Sequence, residues 1–109
     1  MCLAVVPDPP EAPVISEIFK TSAVVTWQPP KSDGGAPIKG YHVEKAQNKN
    51  NEWVRVTKEP VPDCTLPVKE LLVGTTYQYH VIAVNDAGPS KPSKPSESFV
   101  AKDPWGKFL

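Results

Sequence analysis

LLVGTTYQYHVIAVN, residues 71–85, is the stretch that decides the fold. Tyr77, Tyr79, Val81 and Ala83 recur at every second position, the period of a β-strand with one buried face. Gln78 and His80 fill the opposite face. Ile82 and Val84 interrupt its polarity, which fits either a second covered face near the strand's end or a small exposed apolar patch. Leu71 and the run Val73-Gly74-Thr75 set a turn that feeds the strand.

The rest of the chain extends the same pattern. Fourteen prolines and six glycines divide 109 residues, and proline is excluded from helix interiors. The longer proline-free stretches alternate rather than follow a helical period, so an all-β class is predicted. Strands are predicted at Val14–Phe19, Thr21–Gln28, Ile38–Ala46, Trp53–Thr57 and Cys64–Val68, then at the opening stretch, and last at Ser96–Lys102. Ala23, Val25 and Trp27 share one face of the second strand, and Trp27 offers the largest apolar surface for a small core. Tyr41 and Val43 point inward on the third, Leu66 and Val68 on the fifth. Gly40, His42 and Glu44 point outward. In the fourth strand Val54 and Val56 alternate with Trp53 and Arg55, and alternation alone does not decide which pair is covered. Seven short strands separated by turns fit an antiparallel β-sandwich.

The length suits one domain. Twelve basic and twelve acidic residues balance to zero net charge. No basic block invites nucleic acid and no polybasic or long apolar run invites a membrane, so neither is expected as a partner. Cys2 and Cys64 do not make a disulfide framework. With no Asn-x-Ser/Thr sequon, they point to a reduced, cytosolic setting.

These residues carry a family likeness over nearly the whole chain. Trp27, Gly40-Tyr41, Leu71 with Gly74-Thr75-Thr76-Tyr77, and Ala83-Val84-Asn85 with Gly88 resemble a fibronectin type III domain. The likeness implies a seven-stranded immunoglobulin-like sandwich. The spacing of Leu71 and Tyr77 resembles its tyrosine corner, in which a buried phenol bonds a backbone group of the preceding turn. PDPPEAP, WQPPKSDGGAPIKGYHVEK and FVAKDPWGK are similar to modules of the giant intracellular muscle proteins, titin first, then twitchin, projectin and the myosin-binding proteins C. That resemblance implies a non-catalytic module of a tandem array in the cytoplasmic sarcomere, in the A-band. Its neighbours would be immunoglobulin-like or fibronectin type III modules of the same chain, with myosin or other thick-filament proteins as partners. An extracellular or receptor-type module that binds a protein through its loops is the alternative. The expected division is a linker and preceding-module tail at 1–10, the domain at 11–103 and an outgoing linker at 104–109.

Chemistry-bearing residues are sparse. His42 and His80 lie outward on strands that pair in such a fold, but no third metal ligand is evident, so solvated histidines are expected. Cys64 reads as a small buried hydrophobe rather than a reactive thiol. No nucleophile elbow or phosphate loop is present, and no catalytic residue, metal or cofactor is expected. The predicted core is Trp27, Tyr41, Val43, Leu66, Val68, Leu71, Tyr77, Tyr79, Val81 and Ala83. His42, Glu44, His80 and Ile82 are the predicted protein-contact surface. The repeat PSKPSKP could present Pro-x-x-Pro to an SH3 or WW groove. More simply, it could shape a loop and guard a sheet edge. The ends echo one another, with Leu3-Ala4-Val5-Val6-Pro7 set against Val100-Ala101-Lys102-Asp103-Pro104, an offset of 101 − 4 = 97 residues. This is about one sandwich module and hints at an array.

Overall fold

The computed structural model describes residues 3–48 and 50–104. Eight strands form in chain order: β1 (Val14–Ser16), β2 (Ala23–Thr26), β3 (Gly40–Gln47), β4 (Val54–Arg55), β5 (Thr65–Val68), β6 (Thr76–Asn85), β7 (Gly88–Pro89) and β8 (Phe99–Val100). Among the described residues no helix forms. One antiparallel sheet has the order β1-β2-β5, and the other β4-β3-β6-β7, with β8 also paired to β6. The fold is the all-β antiparallel sandwich expected from the alternation.

The strand ends depart from expectation for local reasons. β1 stops at Ser16 because Glu17 adopts a left-handed φ of 49° and the Phe19 N–H then donates to the Ser22 carbonyl at 2.8 Å. A turn thus replaces the predicted strand residues 17–19. The predicted seventh strand, Ser96–Lys102, shortens to β8, and β7 forms in a stretch expected to be loop. β7 and β8 flank β6 on the same edge, and the serine-rich segment between them pairs by a different pattern, described below.

β3 and β6 form the longest ladder, from Gly40↔Val84 to Gln47↔Tyr77. The period of two places Tyr41 and Val43 beside Val81 and Ala83 on the inner face. Trp27, Tyr41, Val43, Val68, Leu71, Tyr77, Tyr79, Val81 and Ala83 are all buried, together with Ala23, Val25 and Ala101. Leu66 is half-buried and packs against this cluster, as do Cys64 and Phe99. Trp27 meets Tyr41 edge to face with ring centroids 5.6 Å apart, within the favourable range for such pairs. Gly40 opens β3 where the crossing segment lies closest. A Cβ there would stand 2.7 Å from the Pro60 Cβ and 3.0 Å from the Val61 carbonyl. That closeness lets Tyr41 and Val61 exchange two backbone hydrogen bonds of 2.9 and 2.8 Å.

The tyrosine corner is present. The Leu72 N–H donates to the Tyr77 phenol oxygen at 2.8 Å, which ties the turn to the strand it feeds. Tyr79, two residues on, is fully buried, yet its hydroxyl has no hydrogen-bond partner among the described residues. Burial, then the neighbouring Tyr77, raises its pKa well above the ordinary phenol value. The two tyrosines should therefore respond oppositely to loss of the hydroxyl. Tyr77→Phe is expected to cost about 1–3 kcal/mol, because it leaves a backbone N–H without its acceptor. Tyr79→Phe is expected to be neutral or stabilising, since it removes an unsatisfied polar atom. Urea midpoints of the two variants check the pair, and equal losses would contradict it.

Candidate interaction surfaces

Three surfaces gather the polar side chains of the molecule: the outer face of the β3–β6 ladder, the free edge of β6 and the pole where the chain enters.

On the outer face, period two places His42, Glu44 and Ala46 on β3 opposite Ile82, His80 and Gln78 on β6. The expected solvated histidines are not found there. His42 is 8% exposed, His80 6% and Ile82 7%, so little of the predicted contact surface is left for a partner. The cover comes largely from around β4. Trp53 stacks on His80 with ring centroids 3.8 Å apart and planes 17° from parallel. Val54 and Val56 face solvent, which answers the question that alternation left open.

Each histidine is also engaged. His80 Nε2 lies 2.7 Å from Glu44 Oε1, and Arg55 approaches the other carboxylate oxygen at 3.6 Å. His42 Nδ1 lies 2.7 Å from Thr57 Oγ1, while that oxygen accepts the Val43 N–H at 3.3 Å. Thr57 then has its hydroxyl proton to give to a neutral imidazole. Among the described residues no group of three or more His, Cys, Asp or Glu side chains could hold a metal ion.

The His42 pKa lies below the ordinary imidazole value, through burial first and the Arg55 charge second; Glu44 and Glu59 oppose the shift. A folded-state pKa below the unfolded one means that the unfolded chain binds the proton more readily, so stability rises with pH in that window. The contribution is complete above about pH 6.5, the unfolded histidine value, and is lost as pH falls toward the depressed folded value. Denaturant midpoints between neutral and mildly acid pH should fall less in His42→Gln than in the parent. Identical slopes would contradict the assignment.

Cys64 is half-buried against the core. Burial, then its own proximity, pushes the Tyr41 phenol up to about 12. Cys2 lies outside the described residues, as does Trp105 of the outgoing linker.

The free edge of β6 is closed by a pattern that residue periodicity did not reveal. The N–H groups of Ser90, Ser93 and Ser96 donate to the carbonyls of Ala83, Val81 and Tyr79 at 2.7, 2.9 and 2.8 Å. The three hydroxyl oxygens accept the N–H groups of the same three residues, each at 3.0 Å. Each hydroxyl donates onward to the next carbonyl, on Lys91, Lys94 and Glu97. Three residues of this segment thus face two of β6, repeatedly, as in a run of bulges.

That register bears on the Pro-x-x-Pro reading. All three serines of the segment are bound along β6 through backbone and hydroxyl, so an SH3 or WW groove would have to displace that pairing. The edge-guarding account fits, since Pro89, Pro92 and Pro95 have no N–H to offer another strand.

At the entering pole, the Val5 N–H donates to the Gly34 carbonyl at 2.9 Å and the Asp8 N–H to the Ser32 carbonyl at 3.0 Å. Asn85 at the end of β6 binds the Val5 carbonyl at 2.8 Å and the Asp33 carbonyl at 2.7 Å. Its side-chain oxygen accepts the N–H groups of Ala87 and Gly88. Gly34 has a φ of 77°, and a Cβ there would collide with the Val5 carbonyl. The departing chain is held at the other end of β6. The Ala101 N–H donates to the Thr75 carbonyl at 3.0 Å and its carbonyl accepts the Gly74 N–H at 2.8 Å.

A family model for the fibronectin type III domain matches residues 8–99. The chain belongs to the fibronectin type III family. It is 41% identical over 95 residues, 87% of its length, to the cardiac-type myosin-binding protein C of Gallus gallus. Against the slow-type myosin-binding protein C of Homo sapiens it is 38% identical over 94 residues, or 86% of its length. It spans 8% of the length of each of these relatives. Among solved structures, domains A168–A170 of titin superpose with a TM-score of 0.86 at 41% identity, covering 92% of this chain and 34% of that one. This fibronectin type III module thus has its relatives among muscle proteins, as the local motifs suggested.

Proposed function

We propose that this module is a non-catalytic structural element of a tandem sarcomeric scaffold, where it sets spacing, resists tension and contributes docking along the thick filament through surface other than the covered histidine face. The observation that carries this reading is the placement of the two chain grips. The entering chain is bound beside Asn85 and the departing chain beside Thr75, at opposite ends of β6. Ten strand residues separate those grips by about 30 Å. Tension arriving at one end thus runs along β6, which the β3 ladder braces, before leaving at the other.

The relatives named as myosin-binding proteins support myosin as the thick-filament partner, and neighbouring immunoglobulin-like or fibronectin type III modules as partners within the same chain. A cytoplasmic site in the sarcomeric A-band follows from the same reading. Sedimentation with reconstituted myosin filaments tests the docking part. Retention above that of an extracellular fibronectin type III module is expected. Equal retention would remove docking from the proposal and leave spacing and tension.

A further inference from the structure

The tandem reading bears on two residues that the fold alone does not explain. Leu3 is apolar yet 81% exposed, and Ala4 beside it is exposed too. In the echo between the chain ends, Leu3 and Ala4 stand where Val100 and Ala101 stand. Val100 is a strand residue paired to Thr76, and Ala101 is fully buried in the core. Leu3 and Ala4 therefore have the sequence of a last strand but no sandwich of their own to enter. The very next residue, Val5, is already bound to this module through both its N–H and its carbonyl.

We propose that Leu3 and Ala4 complete the last strand of a preceding fibronectin type III sandwich and that this module's grip begins at Val5, with no free residue between. The preceding module then docks as a rigid neighbour on the pole formed by Asp33–Gly35 and Ala87–Gly88. Asn85 is the positioning residue of that joint. It is 2% exposed, and its amide joins the incoming strap, the β2–β3 loop and its own turn at once. The strap lies tight on this pole, since a Cβ on Gly34 would collide with the Val5 carbonyl. On the departing side the Lys20 N–H donates to Asp103 Oδ1 at 3.0 Å. In an array with this offset, the backbone of Ala101 would be held by one module and that of Lys102, the counterpart of Val5, by the next, while Asp103 reaches back to the first module by its side chain alone. Such a joint transmits orientation as well as distance, because a linker without free residues cannot act as a flexible coil.

The inference rests on the tandem reading, and the two can fail separately. Sister modules about one domain length upstream in the parent gene decide the array. The joint is tested with two copies of residues 5–101 fused directly, Ala101 to Val5, and measured by residual dipolar couplings. One alignment tensor common to both copies is expected. It should split into two when a Gly-Gly pair is inserted at the fusion point, and again with Asn85→Ala in the second copy only. The insertion leaves both cores intact, so it keeps the test valid should the asparagine variant not fold. Independent tensors in the direct fusion would overturn the proposal, as would a common tensor that survives the insertion.

Discussion

Trp27→Ala is expected to lower the free energy of unfolding by about 3–5 kcal/mol, the usual cost of emptying a buried aromatic site. Trp27 is almost wholly buried, and its ring sits edge-on to Tyr41 between the sheets. Its backbone N–H also donates to the Cys64 carbonyl at 2.9 Å, continuing the β2–β5 pairing beyond the ladder. That bond survives the substitution, so the loss reports the side chain. One effect works in the opposite direction. The indole Nε1 has no hydrogen-bond partner among the described residues, and deleting an unsatisfied donor returns part of the cost. Trp27→Phe should accordingly fall well short of the alanine loss, since it keeps much of the volume and drops the donor. A domain of this size has roughly 5–15 kcal/mol in total, so the alanine variant should sit close to unfolding at room temperature. Urea titration followed by far-ultraviolet circular dichroism measures both. A loss for Trp27→Ala under about 1 kcal/mol would mean that the core is organised around other residues.

The second large effect is expected at the serine edge. Replacing Ser90, Ser93 and Ser96 together by alanine should cost at least about 3 kcal/mol, from about 1–3 kcal/mol for each donor left bare in the interior. The three sites share one segment and one network, so the sum will not be strictly additive. The backbone bonds from the serine N–H groups remain available. What is lost is the acceptor for the N–H groups of Tyr79, Val81 and Ala83. Amide hydrogen exchange should therefore quicken at those three residues, with smaller changes at the alternate residues His80 and Ile82, which pair with β3. Ser93→Thr keeps a hydroxyl and should recover most of the single-site loss. A triple variant within about 0.5 kcal/mol of the parent, the range of ordinary surface substitutions, would show that the edge is held by backbone pairing alone.

How much of this was legible in the sequence depends on the period of each feature. Tyr77, Tyr79, Val81 and Ala83 declared the core strand because a pleated strand turns every second side chain inward. The corner was visible in the Leu71–Tyr77 spacing through its resemblance to the fibronectin type III pattern. Ser90, Ser93 and Ser96 recur every third residue against a strand that recurs every second. A search for period two therefore reads them as loop, although the repeated Ser-Lys-Pro unit was the available signal. Alternation correctly placed His42, His80 and Ile82 on the outer face, but it cannot say whether that face is covered. Trp53 stacks on His80 and Thr57 bonds His42, and these two residues flank β4 rather than lie on the ladder itself. Asn85 was visible as part of a family motif, but its two carbonyl partners lie 80 and 52 residues away, beyond any local pattern.

Pulling single molecules through their two termini tests the proposed transmission of tension from one pole to the other. The prediction is one all-or-none rupture that releases on the order of 300 Å of chain, at about 3.3–3.6 Å per residue. Asn85→Ala should lengthen the compliant segment before rupture without changing the amount released by the core. Smooth extension with no rupture, or release in several small steps, would contradict the claim.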